Sequence, residues 1–354
     1  MKPSVSKHAA KLNYHPEAGI DMAIFRPLVS ILTPCWNRAE FLDRVWQALD
    51  DQTYPVIEWI VCDDGSTDDT AQKLEEFRTK SWFPVCVITA SEHIGKVRMD
   101  NEAVSQARGQ YILWNDSDDY LLPGAIEELV SIIESVPETE RDEYVGVTAL
   151  CSDEAGTIIS SDLPSFGQFD TTWNLLVTKH GVTGDMIYMT RADVLKSNPF
   201  PEVDFVVPES IVWNVIGEAK ARIRPIVVKV NCYRAPNAIS FSGVIAYPRG
   251  RAHSMATCVR CLKKYRRGLR ASCWRLITFT RYSIHGQLSF GQALKLWGSN
   301  SSRLAFLLMF PIAIVLVLGD RMRGIVRMTH NEFDLAESRV SVSIKSNNQF
   351  EKMQ

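Results

Sequence analysis

Glycine-rich nucleotide loops are missing from this 354-residue chain. No GxGxxG follows the first predicted strand, so a dinucleotide site lacks its main support, and no P-loop signature occurs anywhere. Cysteine is sparse: eight irregularly spaced residues make no disulfide framework, and reduced thiols are expected. Cys258 and Cys261 form a lone CxxC near His253 and Cys273. The second pair that a zinc site usually needs is absent, so these are expected to be structural thiols. The first nineteen residues hold no apolar run, and no secretory signal is expected. Acidic residues are missing too, but only locally. Residues 219–319 carry 17 Lys and Arg and no Asp or Glu, whereas residues 1–218 carry 16 against 36. The formal total of −2 conceals a basic block that faces a specific kind of partner.

With 46% apolar and 23% charged residues, the chain has enough to build a large core, and disordered or collagen-like readings fail. Short apolar runs at 28–34, 58–64, 84–90, 110–116 and 144–150 are predicted strands. Helical spacing predicts helices over 39–51, around 69–77, over 96–107 and over 123–135. Asn37 is expected to cap the first, and Ser66, Thr67 and Asp68 offer caps to the second. Pro123 is expected to start the last. Strand alternating with helix implies an α/β fold with a mostly parallel sheet flanked by helices.

Ligands of such sheets bind beyond the carboxyl ends of the strands. The second strand ends in Asp63-Asp64-Gly65-Ser66 and the fourth in Asn115-Asp116-Ser117-Asp118-Asp119. Asp116 and Asp118, two apart in an extended segment, share a face, and Asp119 is expected to point toward the following helix. Two such carboxylates repel unless a cation bridges them. Mg²⁺ or Mn²⁺ commonly takes one or two carboxylates and completes its shell with substrate phosphates. A lone DxD is a weak signal, because acidic turns are common at strand ends. Beside a second acidic strand end it points to a nucleoside diphosphate compound.

The segments SILTPCWNRAEFL, QTYPVIEWIVCDDGSTDDT and, after Asn101, ARGQYILWNDSDDYLLPGA resemble the nucleotide-sugar half of family 2 glycosyltransferases, the GT-A fold, over residues 28–135. The resemblance implies that Pro34 and Trp36 frame the base, although Trp36 is equally suited to ordinary packing. It implies that Asp64 bonds base or ribose and that Asp63 shapes the turn. Asp116 is then assigned to the ribose or metal region and Asp118 becomes the principal metal ligand. Lys96 and Arg98, at a helix start, are placed to hold phosphate or simply to face solvent. The segment from Gly184-Asp185 through Trp213 resembles the acceptor side of a bacterial branch of the family. There Glu209 stands where the family has its general base, with a helix-terminal charge as the alternative, and Asp185 and Trp213 are candidates for holding sugar. Cys35-Trp36 and Asn115 depart from the usual pattern without removing a carboxylate, whereas Ser210 stands where the family more often has Asp, so the base assignment rests on Glu209 alone.

Residues 249–281 interleave ten Lys and Arg with apolar side chains, and 304–319 run uncharged for sixteen residues around Pro311. A spanning helix needs about 20 apolar residues, so a monotopic or re-entrant segment is expected first, a span second and a buried helix third. Lipid phosphate and RNA attract basic residues alike, but the neighbouring apolar run favours an anionic membrane surface, and no nucleic acid is expected. The expected organisation is a tail at 1–27, a GT-A domain at 28–240 split at 135/136, a basic and apolar helical region at 241–330, and a tail at 331–354. The expected function is metal-dependent inverting sugar transfer, in cell-surface glycan synthesis, at the cytoplasmic face of a membrane. The donor would be a UDP- or GDP-linked sugar and the acceptor a glycan, a lipid-linked sugar or a protein. A membrane-associated nucleotide-sugar-binding protein without turnover, or a nucleotidyltransferase, are the alternatives.

Overall fold

The computed structural model describes residues 26–160, 167–203, 205–232, 247–262, 269–297, 303–323, 342–347 and 349. Strand and helix alternate at first: β1 (Val29–Cys35), α1 (Ala39–Asp50), β2 (Ile57–Asp63), α2 (Thr70–Lys80), β3 (Val85–Ala90), α3 (Lys96–Gln106), β4 (Tyr111–Trp114), β5 (Tyr120–Leu121) and α4 (Ala125–Glu134). A 3-10 turn leads into β6 (Tyr144–Ser152), β7 (Phe169–Thr172), α5 (Trp173–Thr178), β8 (Met186–Arg191), α6 (Ala192–Lys196), α7 (Ser210–Ile216) and β9 (Lys220–Val230). Then come α8 (Pro248–Leu262), α9 (Leu269–His285), α10 (Phe290–Trp297), α11 (Arg303–Met322) and β10 (Val342–Ser346).

The period-two alternation of strand side chains builds a core on each face of the sheet. Ile31, Ile57, Trp59 and Val61 meet Leu42, Val45 and Leu49 of α1 and Leu74 and Phe77 of α2. Their neighbours Leu32, Ile60, Cys62 and Ile88 turn the other way and meet Val97, Met99 and Ala103 of α3. The strand order is β10-β3-β2-β1-β4-β8-β6-β9-β5, with β7 beside β9. The expected parallel sheet is found as β3-β2-β1-β4. Beyond it the sheet is mixed, because β8 inserts antiparallel between β4 and β6, and β5 and β7 run antiparallel to β9.

Two helix starts differ from expectation. Asn37 does not cap α1; at φ 53° its backbone N–H donates to Ser66 Oγ and its side-chain carbonyl accepts from Thr67 N–H, both at 2.8 Å. Asp68 caps both neighbouring helices instead, accepting from Thr70 N–H at 3.0 Å and Ala39 N–H at 3.2 Å. Pro123 lies outside α4, since Gly124, with φ 77°, turns the chain into Ala125. The C-terminal tail contains β10, which pairs antiparallel with the β3 edge. Asn347 fastens it by donating to Arg78 O at 3.0 Å and accepting from Val85 N–H at 2.9 Å. Residues 1–25 of the expected N-terminal tail lie outside the described residues.

The helical region has its own small core of Ala252, Ala256, Leu276, Phe279 and Ala293. Asp320, fully buried near the end of α11, accepts from Arg281 Nε at 2.5 Å and lies 2.9 Å from His285 Nε2, which pins α11 to α9. The other side of α11 exposes Leu307, Leu308, Ile312, Ile314, Val315, Leu318 and Met322. Among the described residues, no helix is long and apolar enough to cross a membrane, which removes the spanning alternative for them. A buried helix is excluded by the same exposed row. A few among Arg260, Lys263, Lys264, Arg266, Arg267 and Arg270 are expected to face lipid; Arg260 is engaged with Leu296 O at 2.8 Å, and Arg270 lies in α9. Lys263, Lys264, Arg266 and Arg267 lie outside the described residues.

Asp119 does not turn to the following helix. Its carboxylate reaches β9, where Lys229 Nζ donates at 2.7 Å and Cys232 N–H at 2.9 Å. Both charged side chains are 7% exposed. Burial raises the Asp119 carboxyl above its ordinary value although Lys229 opposes the shift. Lys229→Met should therefore cost about 3–5 kcal/mol at neutral pH by leaving a buried charge unpaired. The loss should shrink as pH falls through the raised value and Asp119 takes up a proton. Denaturant unfolding at several pH values measures both effects.

Candidate active site

The carboxyl end of β2 forms one wall. Gly65, at φ 68°, presses the turn so closely on the loop after β3 that a Cβ would lie 2.3 Å from the Glu92 carbonyl carbon. That approach lets the buried Asp64 carboxylate accept from Ile94 N–H at 2.7 Å and Gly95 N–H at 3.0 Å, and sets it 2.8 Å from His93 Nδ1. Asp64 is thus engaged with residues 93–95. Asp63 accepts from Ser66 N–H at 3.1 Å. Burial disfavours the His93 imidazolium, but the Asp64 carboxylate outweighs it and the His93 pKa is raised. Trp36, at the end of β1, stacks on His93 with ring centroids 4.1 Å apart. Pro34 is half-buried in β1 opposite Cys62, and Cys35 is a buried thiol bonded to Cys62 O.

The end of β4 forms the second wall. The segment is not extended as expected: Asp119 N–H donates to Asp116 O at 3.1 Å and closes a turn over buried Ser117 and half-buried Asp118, in which the charge of half-buried Asp116 acts on Asp118. Arg44 Nη2 holds the loop by donating to Asp118 O at 2.7 Å. Burial, followed by the charges of Asp119 and Asp116, pushes the Asp118 carboxyl up to about 6, with Arg38 the opposing cation. Among the described residues no three His, Cys, Asp or Glu gather closely enough to hold a metal by themselves. The pair of undercompensated oxygen donors nevertheless fits a hard divalent ion whose remaining ligands are substrate phosphates and water. Cys258, Cys261 and Cys273 are half-buried and form no disulfide.

Lys96 joins these walls to the start of α7. Gly95 (φ 97°) precedes α3 and makes Lys96 its first residue. Lys96 Nζ donates to Asp100 Oδ2 at 3.1 Å, one helical turn on, and to Glu209 Oε1 at 2.6 Å, 113 positions away. The negative charge of Asp116 also acts on it. Desolvation raises Asp100 most, Lys96 opposes this, and the charges of Glu209 and Asp116 add to it, bringing Asp100 to about 7. Trp213 Nε1 lies 3.4 Å from Glu209 Oε2, and the Trp213 ring packs edge-on against Trp114 and Trp173 and stacks on Tyr188. Ser210, next to Glu209, bonds Ser254 of α8 at 2.7 Å.

Of the residues expected from sequence, Lys96, Asp116, Glu209 and Trp213 come together, while Trp36, Asp63 and Asp64 form the neighbouring group. Arg98 is half-buried in the first turn of α3. Asp185 is exposed ahead of β8 and accepts from Asn231 Nδ2 at 3.5 Å. Sequence reasoning passed over His93, Asp100 and Arg44. Asp100 stands at the i+4 spacing from Lys96 that places both on one helix face, and His93 stands just beyond a strand's carboxyl end. Arg44 carried no such signal.

Residues 30–195 match the profile described as Glycosyl transferase family 2. Chondroitin synthase of Escherichia coli is 36% identical over 116 residues, 32% of this chain and 17% of that protein. The teichuronic acid biosynthesis glycosyltransferase TuaG of Bacillus subtilis is 34% identical over 98 residues, 28% of this chain and 38% of that protein. The chain therefore matches well under half the length of either relative. The crystal structure of S. aureus TarS 1-349 in complex with UDP-GlcNAc superposes with TM-score 0.52 at 19% identity, covering 84% of this chain and 83% of that one. Ordered motifs and profile agree over the same stretch, so it is residues 30–195 that are similar to the family 2 glycosyltransferase domain.

Proposed function

We propose that the chain transfers a sugar from a UDP- or GDP-linked donor to a hydroxyl acceptor, with inversion, in the synthesis of a surface glycan. The observation that carries this is the Lys96 cluster, in which one ammonium bonds the acceptor-half Glu209 within the field of Asp116. The base of the donor nucleotide would lie by the Trp36–His93 pair, and the diphosphate by Asp116, Asp118 and Lys96. A divalent cation, Mn²⁺ or Mg²⁺, held by Asp118 and Asp116 would neutralise charge on the leaving diphosphate. Glu209 takes the acceptor hydroxyl proton as that oxygen attacks the anomeric carbon, while the bond from that carbon to the diphosphate breaks on the opposite side. One displacement inverts the centre. The relatives named for chondroitin, teichuronic acid and poly(ribitol-phosphate) favour a polysaccharide acceptor over a lipid-linked sugar or a protein. Asp185 and Trp213 are assigned to the acceptor side, Trp213 through its hold on Glu209.

The exposed face of α11 supports attachment to the cytoplasmic face of a membrane. Seven large apolar side chains stand in one row, and Arg321 and Arg323 are exposed at its end. Such a helix lies in the interface plane, its apolar side among acyl chains and its cations near anionic headgroups.

Glu209→Gln should retain nucleotide-sugar binding but slow transfer by about two to four orders of magnitude, measured by nucleotide release with a polysaccharide acceptor. Wild-type transfer by this variant would dismiss Glu209 as the base. Binding of Mn²⁺ in the presence of UDP should weaken roughly tenfold per pH unit below about 6, as protons compete for Asp118. Folding raises that carboxyl from 3.8 to about 6, so its ionisation costs stability that is absent below the lower value and fully felt above the higher. The cation relieves that cost, so Mn²⁺ with UDP should raise the Tm more at about pH 7.5 than at about pH 5. Asp118→Asn should abolish both responses. The full chain should sediment with phosphatidylserine vesicles at high salt, and Leu308→Glu with Val315→Glu should reduce this by roughly tenfold or more without changing the Tm. Wild-type sedimentation by that pair would sink the α11 assignment.

A further inference from the structure

We infer that Lys96 is a shared cation that passes from Glu209 to the donor diphosphate, so that donor binding itself frees the base. The inference rests on the assignment of Glu209 as base and deepens it. In the structure Glu209 Oε1 is occupied by the Lys96 ammonium at 2.6 Å, and a carboxylate so engaged accepts a proton poorly. Lys96 has two partners of different standing. Asp100 is one turn along the same helix and 1% exposed, so it travels with Lys96 and cannot leave. Glu209 is on the far half of the domain, at the start of α7, and its side chain is 34% exposed. The Glu209 contact is the one that can be traded.

Charge gives the direction of the trade. One ammonium faces Asp100, Glu209 and, through space, Asp116. A diphosphate entering beside Asp116 adds more negative charge to those the ammonium already faces. Turning Lys96 onto a phosphate oxygen meets that need and leaves Glu209 Oε1 open. The Trp213 indole N–H, 3.4 Å from the other oxygen, keeps the freed carboxylate oriented. Lys96 is therefore a positioning residue: it holds the base idle while the donor site is empty and releases it when the donor arrives. By linkage, whatever removes Glu209 as a competitor must tighten nucleotide binding.

Calorimetric titration of UDP or GDP with Mg²⁺ into the full chain tests this. Glu209→Gln should bind the nucleotide about five- to tenfold more tightly than wild type, and the gain should shrink in a Lys96→Met background. Simple repulsion between Glu209 and phosphate predicts the reverse, a gain at least as large without Lys96, and that result would overturn the exchange. An unchanged affinity in Glu209→Gln would overturn it as well. Lys96→Met leaves Asp100 buried and unpaired, so the same cycle in an Asp100→Asn background keeps the comparison sound if the single variant unfolds. A wild-type chain that binds neither nucleotide would overturn the donor reading together with the exchange, whereas normal binding with no Lys96-dependent gain overturns the exchange alone.

Discussion

Aspartate crowding at the carboxyl ends of β2 and β4, and its incomplete neutralisation, governs the arrangement of the catalytic half. Asp63, Asp64, Asp100 and Asp119 are all buried, and Asp116 and Asp118 half-buried. Each buried carboxylate is met by a different device. Asp64 takes backbone amides and a histidine, Asp119 takes Lys229 from β9, and Asp100 takes Lys96 from its own helix. Asp118 receives no comparable partner and is left with a raised pKa. Fold stability and ligand demand are therefore set by the same charges: those neutralised internally hold the loops, and those left over define what must bind.

The segments from α7 through β9 depend on this arrangement through long-range contacts. Lys229 and Glu209 are separated from their partners by 110 and 113 positions, and each crosses from the second half to the first. Asn101 adds a third crossing, since its side chain donates to Phe200 O and accepts from Phe200 N–H. Among the described residues, these contacts satisfy polar groups of one half with partners from the other.

The first half was legible in the sequence because its signals are local. The buried runs of β1 to β4, the amphipathic α1 and the acidic strand ends each lie within a few residues. The sequence alone marks Asp63-Asp64 and Asp116–Asp118 as lying at the carboxyl ends of strands. What was not legible depends on distant partners. Nothing around Lys229 announces that it answers Asp119, and nothing around Lys96 announces Glu209 as a second partner. The Asn37 cap failed for a related reason: a side chain able to cap locally was drawn instead to Thr67 on a neighbouring loop. The apolar run of α11 was visible as a run, but its division into a face on α9 and a face in solvent was not, because Asp320 is pinned by residues some forty positions earlier.

The strand β10 has a practical bearing on how the molecule can be shortened. It covers the outer edge of β3 along Cys86–Ala90, where the backbone N–H and C=O groups would otherwise stand unpaired. Unprotected edges of that kind serve as templates for another chain's strand. A catalytic fragment ended before α8 would shed the apolar helix face and uncover this edge in the same cut. It would lose an exposed apolar face and gain an edge able to pair with copies of itself. A fragment meant to stay monomeric therefore has to retain residues 342–347 or carry a charged or proline substitution on β3.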